Sequence, residues 1–167
     1  MELWDVLDKN RNKTGRLVER ENPVSLLGSG EYHLVVFAFI RNGDGRFLIS
    51  KRAPNKIIPN MWEITGGSAI TGDDSERAIL REIKEELGID VDPEKGRLLK
   101  SFKIEDERSF FADIWYFEHE VDLSQVVCQP EEVTEAKLAS KDEIMDMVDE
   151  GTFAINWFVL ECLERLK

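Results

Sequence analysis

The stretch from Gly67 to Ile89, which reads GSAITGDDSERAILREIKEELGI, constrains the fold more strongly than any other part of this 167-residue chain. Residues 74–87 predict one helix, on which Glu82, Glu85 and Glu86 are spaced i, i+3 and i+4 and share one arc of the surface. An apolar stripe beside that arc consists of Ile79, Ile83 and Leu87. The helix can therefore pack on a core through the stripe while three carboxylates line its edge.

The spacing of the three glutamates predicts a metal site. Like charges so close together repel, and each disfavours ionisation of the others. A hard divalent cation with oxygen ligands reverses that cost, which favours Mg²⁺ or Mn²⁺. The alternative is a solvated amphipathic face, because helices of the type REIKEELG are common on protein surfaces.

Glycines at both ends of the helix favour the metal site. Gly66 and Gly67 precede the helix, where unhindered backbone can offer a carbonyl to a metal or approach a phosphate, and Gly88 suits the C-cap. The whole spacing resembles the Nudix box, the signature of hydrolases that act on nucleoside diphosphates linked to another moiety. That box is a glycine, five residues, a glutamate, seven residues and then Arg-Glu-apolar-any-Glu-Glu-any-Gly-apolar. The residues in register are Gly67, Arg81, Glu82, Ile83, Glu85, Glu86, Gly88 and Ile89.

One position departs from the box. Asp73 stands where the family has glutamate, and its side chain is one methylene shorter. Asp73 and Glu76 are also spaced as a capping box. The sequence therefore supports a role of Asp73 as the N-cap of the helix at least as well as a catalytic role.

The resemblance implies roles for the residues of the box. Glu82, Glu85 and Glu86 would be metal ligands, assisted by the backbone carbonyl of Gly66, with Gly67 close to the substrate. Arg81 would orient the carboxylates through a charge-assisted hydrogen bond, the alternative being an ordinary surface cation. The implied reaction is attack of water on phosphorus in a small-molecule diphosphate, with Mg²⁺ or Mn²⁺ neutralising the phosphate oxygens.

Nudix enzymes often draw a further glutamate from outside the box, as a ligand or a general base. Glu132 is the candidate here, since it stands shortly before a predicted strand at 133–139. A solvated acidic turn explains Pro130-Glu131-Glu132 equally well. No residue is assigned as the general base, because a base is identified by geometry first.

A second resemblance concerns the loop ahead of the box. The segment 49–56, followed by Pro59 and Trp62, is similar to the corresponding region of isopentenyl-diphosphate isomerases, which share the Nudix fold. In those enzymes an arginine and a lysine at this spacing hold the substrate diphosphate. Arg52 and Lys56 are therefore candidate diphosphate-binding residues, and the alternative is a pair of exposed loop cations.

Two other functions follow from the same resemblance. An isomerase would need a cysteine in the segment 62–68, where glycines stand, and a carboxylate near 110–112, where there is none. A Nudix-fold module that binds a nucleotide without turnover usually lacks glutamates of the box, and this chain keeps all three metal-binding ones. Hydrolysis is the preferred interpretation.

Composition limits the class of protein. Residues 1–167 are predicted to form one domain, long enough to bury a sizeable core. The net charge of −12 argues against partners such as a nucleic-acid polymer or an anionic membrane. The polar N-terminus is no secretory signal, and Cys128 and Cys162 are too far apart in sequence to suggest a metal site, so a cytoplasmic location with reduced thiols is expected.

The order of predicted elements gives the fold class. Strands surround one helix, and two more helices end the chain. Ser140 is predicted to cap the first of these, with Glu143 at the capping-box position, and the second is predicted over about 154–166. This order predicts an α/β fold with a mixed sheet covered on both faces, and the Nudix fold is such an α/β/α sandwich. Residues 1–20 predict a two-strand extension, in strands 3–7 and 16–19. It could pack on its own domain or on a second copy, so a homodimer stays open.

The identity of the substrate is left open by the sequence. The proline associated with ADP-ribose is replaced by Ile104, and no tyrosine associated with dinucleoside polyphosphates follows at 105–107. The aromatic residues of the next strand could include one that stacks on a base, although alternating aromatics in a strand are usually core. They are Phe110, Phe111, Trp115 and Tyr116.

Overall fold

The computed structural model describes residues 2–20 and 27–167. Within these residues the strands are β1 (Leu3–Leu7), β2 (Lys13–Glu19), β3 (His33–Arg41), β4 (Phe47–Arg52), β5 (Trp62–Glu63), β6 (Thr65–Ser68), β7 (Gly96–Glu105), β8 (Ser109–Glu118) and β9 (Val133–Ala139). The helices are α1 (Ser75–Leu87), α2 (Lys141–Glu150) and α3 (Trp157–Arg165).

Strands β3 to β9 form one mixed sheet. Its centre is the parallel pair β3 and β8, in register from His33 opposite Phe110 to Arg41 opposite Glu118. On the other side β3 pairs antiparallel with β4 and β6, while β8 pairs antiparallel with β7. Strand β4 also carries β5 and β9. The mixed sheet predicted from the sequence is confirmed.

The two faces of the sheet bury different clusters. Side chains alternate along β3, so Val36 and Ala38 face the cluster that contains Ile83 of α1. Phe39 belongs to the opposite cluster, which contains Phe158 of α3 and the buried part of α2. Helices therefore cover both faces, which confirms the three-layer α/β/α architecture.

The N-terminal hairpin of β1 and β2 packs on its own domain. The guanidinium of Arg11, in the turn between the two strands, pairs with both oxygens of the fully buried Asp113 carboxylate in β8, one of them at 2.8 Å. Ser101 donates a further hydrogen bond to Asp113 at 2.6 Å. The ring of Trp4 stacks on His33 with 4.3 Å between centroids. The hairpin is thus joined to β8 by an ion pair and to β3 by an aromatic contact. Leu7 and Tyr32 add two backbone hydrogen bonds, at 2.7 and 2.8 Å.

Some boundaries differ from those predicted. The second strand begins at Lys13 rather than at residue 16. The last helix, predicted over 154–166, begins at Trp157, because the preceding backbone is taken by the edge of the sheet: Phe153 bridges to Trp62, and the N–H of Ala154 donates to the Trp62 carbonyl at 2.8 Å. The predicted cap of α2 is confirmed, since Ser140 and Glu143 form a reciprocal capping box.

In the part of the chain that the structure describes, no helix is long and apolar enough to cross a membrane.

Candidate active site

Helix α1 and its N-cap each start one residue later than predicted. The side chain of Asp74, and not that of Asp73, accepts from the N–H of Arg77 at 2.8 Å, so the predicted capping box of Asp73 with Glu76 is wrong. The carboxylate of Asp73 is instead engaged by Arg81. Gly88 ends the helix in the left-handed region at φ 69°, as the sequence predicts for a C-cap glycine.

Arg81 is the centre of a hydrogen-bond network at the edge of α1. Its guanidinium donates to Asp73 at 2.9 and 3.1 Å, to Glu82 at 3.0 Å and to Glu85 at 3.2 Å. It also donates to the carbonyl of Ser68 at 3.1 Å, which ties the helix to the end of β6. One planar cation thereby fixes three carboxylates and the neighbouring strand.

Glu82 and Glu86 are buried carboxylates, an unusual environment for glutamate. Burial raises the pKa of Glu82 to about 7, against the opposing effect of Arg81. Burial also raises the pKa of Glu86 to about 8; the hydroxyl of Thr65, which donates to it at 2.7 Å, opposes the shift, and the charge of Glu82 adds to it. Glu85 is about half exposed. Ionisation of Glu82 and Glu86 is therefore disfavoured, because their protein neighbours do not fully compensate the negative charge.

The double glycine lets the helix approach the sheet. A Cβ at Gly67 would lie 2.3 Å from the carboxyl carbon of Glu82, and one at Gly66 would lie 2.6 Å from the carbonyl oxygen of Val36. Any larger side chain at Gly67 would displace Glu82. The close approach of strand β6 to α1 therefore depends on Gly67, and that of β6 to β3 depends on Gly66.

The predicted loop cations both lie at this site, and both are paired. Arg52 donates to Glu63 at 2.6 Å and to the carbonyls of Ile57 and Ile58 at 2.7 to 3.1 Å. Ile58 has φ 56°, a strained conformation for a β-branched residue. Arg52 thus faces the site and also stabilises the loop that begins directly after it in the chain.

Lys56 and Glu132 form the second pair of the cleft. The N–H of Glu132 donates to the carbonyl of Gln129 and closes a turn. The carbonyl of Glu132 accepts from the N–H of Ala53 at 3.0 Å, so Glu132 is anchored to the start of the loop that carries Lys56. The structure thus places Glu132 in the cleft, beside a cation of the neighbouring loop.

One cleft of about 220 Å³ brings the predicted residues together. Its lining includes Arg52, Lys56, Gly66, Gly67, Glu82, Glu85, Glu86 and Glu132. Arg81 lies behind it and acts through the network described above. The cleft also contains residues that the sequence analysis missed, namely Glu2, Arg20, Glu63 and Gln129.

Arg20 is the most informative of these missed residues. It closes the N-terminal hairpin, where it pairs with Glu2 at 2.6 Å. The charges of Glu2, Glu82 and Glu132 raise its pKa although burial lowers it. Arg20 is far from the Nudix box in the sequence, and no sequence pattern indicates that the two lie close together. Only the docking of the hairpin brings Arg20 to the cleft.

The carboxylates of the cleft are of a chemical type that binds divalent cations, but their present arrangement does not form a cation site. Among the described residues, no three carboxylate, imidazole or thiol groups are placed to hold one ion together. Arg81 is hydrogen-bonded to Glu82 and Glu85, and Thr65 is hydrogen-bonded to Glu86. A cation would satisfy the buried negative charge at Glu82 and Glu86, and Glu85 is exposed enough to turn towards it.

Comparison with known proteins agrees with this geometry. A model of the NUDIX domain matches residues 31–157. A Nudix hydrolase of Listeria monocytogenes is 38% identical over 169 residues, which cover 100% of this chain and 96% of that protein. The nucleoside triphosphatase NudI of Salmonella arizonae is 42% identical over 55 residues, which cover 32% of this chain and 38% of that protein.

The fold is shared with a solved structure. The crystal structure of DR0079 from Deinococcus radiodurans superposes with a TM-score of 0.78 at 23% identity, and the match covers 98% of both chains. The family match and the full-length relative place this fold and its acidic cleft among enzymes that hydrolyse phosphorus-containing anhydrides. The chain belongs to the Nudix hydrolase family, whose members act on nucleoside diphosphate derivatives, and it is a pyrophosphohydrolase.

Proposed function

We propose that the protein is a metal-dependent hydrolase that cleaves a diphosphate linkage in a nucleoside diphosphate derivative by attack of water at phosphorus. The observation that carries this proposal is the gathering of Glu82, Glu85, Glu86 and Glu132 in one cleft with the cations of the neighbouring loop. Excess buried carboxylate explains a need for divalent cations, and the surrounding cations suit a polyanionic substrate.

The three carboxylates of α1 would hold the metal, with the backbone carbonyl of Gly66 as a further ligand. Mg²⁺ or Mn²⁺ supplies charge neutralisation at the phosphate oxygens and a lower pKa for a bound water. Arg81 is a positioning residue, since it binds Glu82, Glu85 and Ser68 at once.

The cations of the cleft would bind the diphosphate. Lys56 carries a point charge that would be released from Glu132 when a phosphate takes the place of that carboxylate. Arg20, from the N-terminal hairpin, adds a further cation to the same cleft. Arg52 is already bonded to Glu63 and to two backbone carbonyls, which supports a role in shaping the loop as well as in contacting phosphate. Once Lys56 turns to the substrate, Glu132 is free to act as a ligand or a general base.

Nucleoside diphosphates and triphosphates are the first substrates to test, because one relative is a nucleoside triphosphatase. Release of phosphate, pyrophosphate or nucleoside monophosphate is measured with Mg²⁺, with Mn²⁺ and with a chelator. The wild type runs beside Glu85→Gln, which keeps the side-chain shape and removes a ligand charge. Glu76→Gln, an exposed glutamate in the first turn of the same helix, is the matched control.

We expect turnover that chelation abolishes, that falls at least about a hundredfold in Glu85→Gln and that is unchanged in Glu76→Gln. Turnover that survives chelation, or equal activity of the two variants, would contradict the proposal.

A further inference from the structure

The loop that precedes α1 is held from outside by the N-terminal hairpin. The N–H of Thr71 donates to the carbonyl of Leu3 at 2.7 Å, and the N–H of Gly72 donates to the Asp5 carboxylate at 3.0 Å. Gly72 has φ 90°, a conformation that glycine adopts readily. The two donors belong to consecutive residues, so strand β1 fixes both the position and the orientation of the loop 70–73.

The same loop carries Asp73, the partner of Arg81. The N–H of Asp73 donates to the carbonyl of Ile70 at 3.0 Å. The carboxylate of Asp73 accepts from the N–H of Ile70 at 3.2 Å and from Arg81 at 2.9 and 3.1 Å. Arg81 in turn donates to Glu82 and Glu85. A path of hydrogen bonds, with one peptide bond in it, therefore runs from the hairpin through the loop to two carboxylates of the acidic cleft.

The length of the Asp73 side chain makes the position of this loop critical. Asp73 stands where the Nudix box has glutamate, and its side chain is one methylene shorter. A shorter side chain leaves a narrower range of backbone positions from which the pair with Arg81 can form. The loop must therefore be held more closely than a glutamate at this position would require.

Asp5 is itself held in place. Its carboxylate pairs with Lys13 of β2 at 2.8 Å, and only 18% of its side chain is exposed. The hairpin and the loop both line a cavity of about 290 Å³, to which Asp5, Lys13, Gly72 and Asp73 contribute. Because packed side chains do not fill this space, the hydrogen bonds to Leu3 and Asp5 do more than apolar contact to set the separation of the hairpin from the loop.

We propose that Asp5 is a positioning residue for the active site. By accepting from the N–H of Gly72, it keeps Asp73 within reach of Arg81. The orientation of the two cleft carboxylates that Arg81 binds then depends on a residue of the hairpin. The inference rests on the proposed function, which assigns those carboxylates to the metal. It goes further by adding to the site a residue outside the matched residues 31–157.

Two substitutions of Asp5 separate its role as an acceptor from its role as a charge. Asp5→Ala removes the acceptor, whereas Asp5→Asn keeps an oxygen that can accept from Gly72. Asp44→Ala is the matched control, since Asp44 also accepts from one backbone N–H, that of Arg46, and pairs with one cation.

Two properties are measured in each protein. NMR without metal follows the exchange of the Arg81 Nε–H with solvent, and the backbone amides of β3 report whether each variant is folded. Calorimetric titration then gives the affinity for Mn²⁺ alone.

We expect the Arg81 Nε–H to exchange at least about threefold faster in Asp5→Ala than in the wild type, while the amides of β3 stay protected. The affinity for Mn²⁺ should fall by about threefold to about tenfold, less than the roughly tenfold to hundredfold loss that follows removal of a direct partner of a metal ligand. Asp5→Asn and Asp44→Ala should match the wild type in both measurements.

Equal exchange of the Arg81 Nε–H in wild type and Asp5→Ala, or equal Mn²⁺ affinities of these two proteins, would overturn the inference. The same losses in Asp44→Ala would overturn it too. Faster exchange in Asp5→Ala, together with no binding of Mn²⁺ to the wild type, would sustain the positioning of Arg81 by Asp5 and refute the proposed function instead.

Discussion

Glu86 shows, at the scale of one residue, how stability and metal binding oppose each other. Its carboxylate is buried on α1 with one hydroxyl donor, that of Thr65, and burial together with Glu82 raises its pKa to about 8. Without a cation, ionisation of such a group opposes folding, while the same charge attracts Mg²⁺. The free energy of unfolding is therefore lowered by a residue that the proposed reaction needs.

Glu86→Gln should make the metal-free protein more stable. An amide can still accept from Thr65 but carries no charge, so we expect the unfolding temperature in chelator at pH 8 to rise by at least about 3 °C, corresponding to about 1 kcal/mol or more. Scanning calorimetry of the variant and of Glu76→Gln measures the difference. A fall in the unfolding temperature of Glu86→Gln would show that the buried charge is already compensated within the protein.

The sequence predicted the residues of the site where local spacing decides their position. Glu82, Glu85 and Glu86 share an arc because they lie on one helix, and Gly67 precedes that helix at a fixed distance. Asp73 was misplaced because two adjacent aspartates can each cap a helix, and only the tertiary contact with Arg81 distinguishes them. No local pattern could have placed Arg20, whose position depends on how a separate hairpin docks.

At the scale of secondary-structure elements, the docking of the N-terminal hairpin depends on Arg11. Its partner Asp113 is fully buried in β8, and although burial alone would raise the pKa of Asp113, hydrogen bonds from Arg11 and Ser101 hold it below the ordinary value. Removal of Arg11 would leave a buried carboxylate without its cation. Because the hairpin carries Arg20, loss of this pair should also affect the acidic cleft.

Arg11→Met should lower the free energy of unfolding by about 2–4 kcal/mol, the usual effect of removing one partner of a buried ion pair. Chemical denaturation followed by circular dichroism gives this value. Arg46→Met is the matched control, because Arg46 pairs with Asp44 on the surface, and we expect a change below about 0.5 kcal/mol there. Equal effects of the two substitutions would show that the hairpin contributes little to stability.

The longer elements were predictable, whereas the short strands β5 and β6 and several element ends were not. The apolar run of β3 and the amphipathic pattern of α1 are strong periodic signals. The start of α3 was predicted three residues early because Ile155 continues the apolar spacing, while in the fold Phe153 and Ala154 pair with Trp62 at the sheet edge. Long-range pairing of this kind has no local signature.

At the scale of the whole molecule, His33 joins the hairpin, the sheet and the loop between β7 and β8. Burial lowers the pKa of His33 from 6.5 to about 4, the backbone of Ser109 opposes the shift, and the charge of Arg108 adds to it. Folding therefore requires a neutral imidazole. The stability that this provides is complete above pH 6.5 and is lost as the pH falls towards 4, because the unfolded chain binds the proton first.

His33→Phe keeps an aromatic ring against Trp4 and removes the titration. Between pH 7 and pH 4.5 we expect the wild type to lose about 2–3 kcal/mol more unfolding free energy than the variant. Denaturant titrations at the two pH values give the difference, in which the titration of carboxylates common to both proteins cancels. Parallel pH profiles of the two proteins would mean that the imidazole is not held neutral by the fold.

The whole chain carries a net charge of −12, yet the proposed substrate of its acidic cleft is an anionic diphosphate. Local cations together with a divalent metal would resolve this conflict, so metal binding at α1 is the claim on which the other inferences about the reaction depend.

Calorimetric titration of Mn²⁺ into the chelator-treated protein at pH 8 tests that claim most directly, with wild type, Glu86→Gln and Glu76→Gln compared. We predict saturable binding to the wild type, an affinity at least about tenfold weaker in Glu86→Gln, and no change in Glu76→Gln. Saturable binding of equal affinity in all three proteins, or no binding to the wild type, would contradict a metal site on this helix.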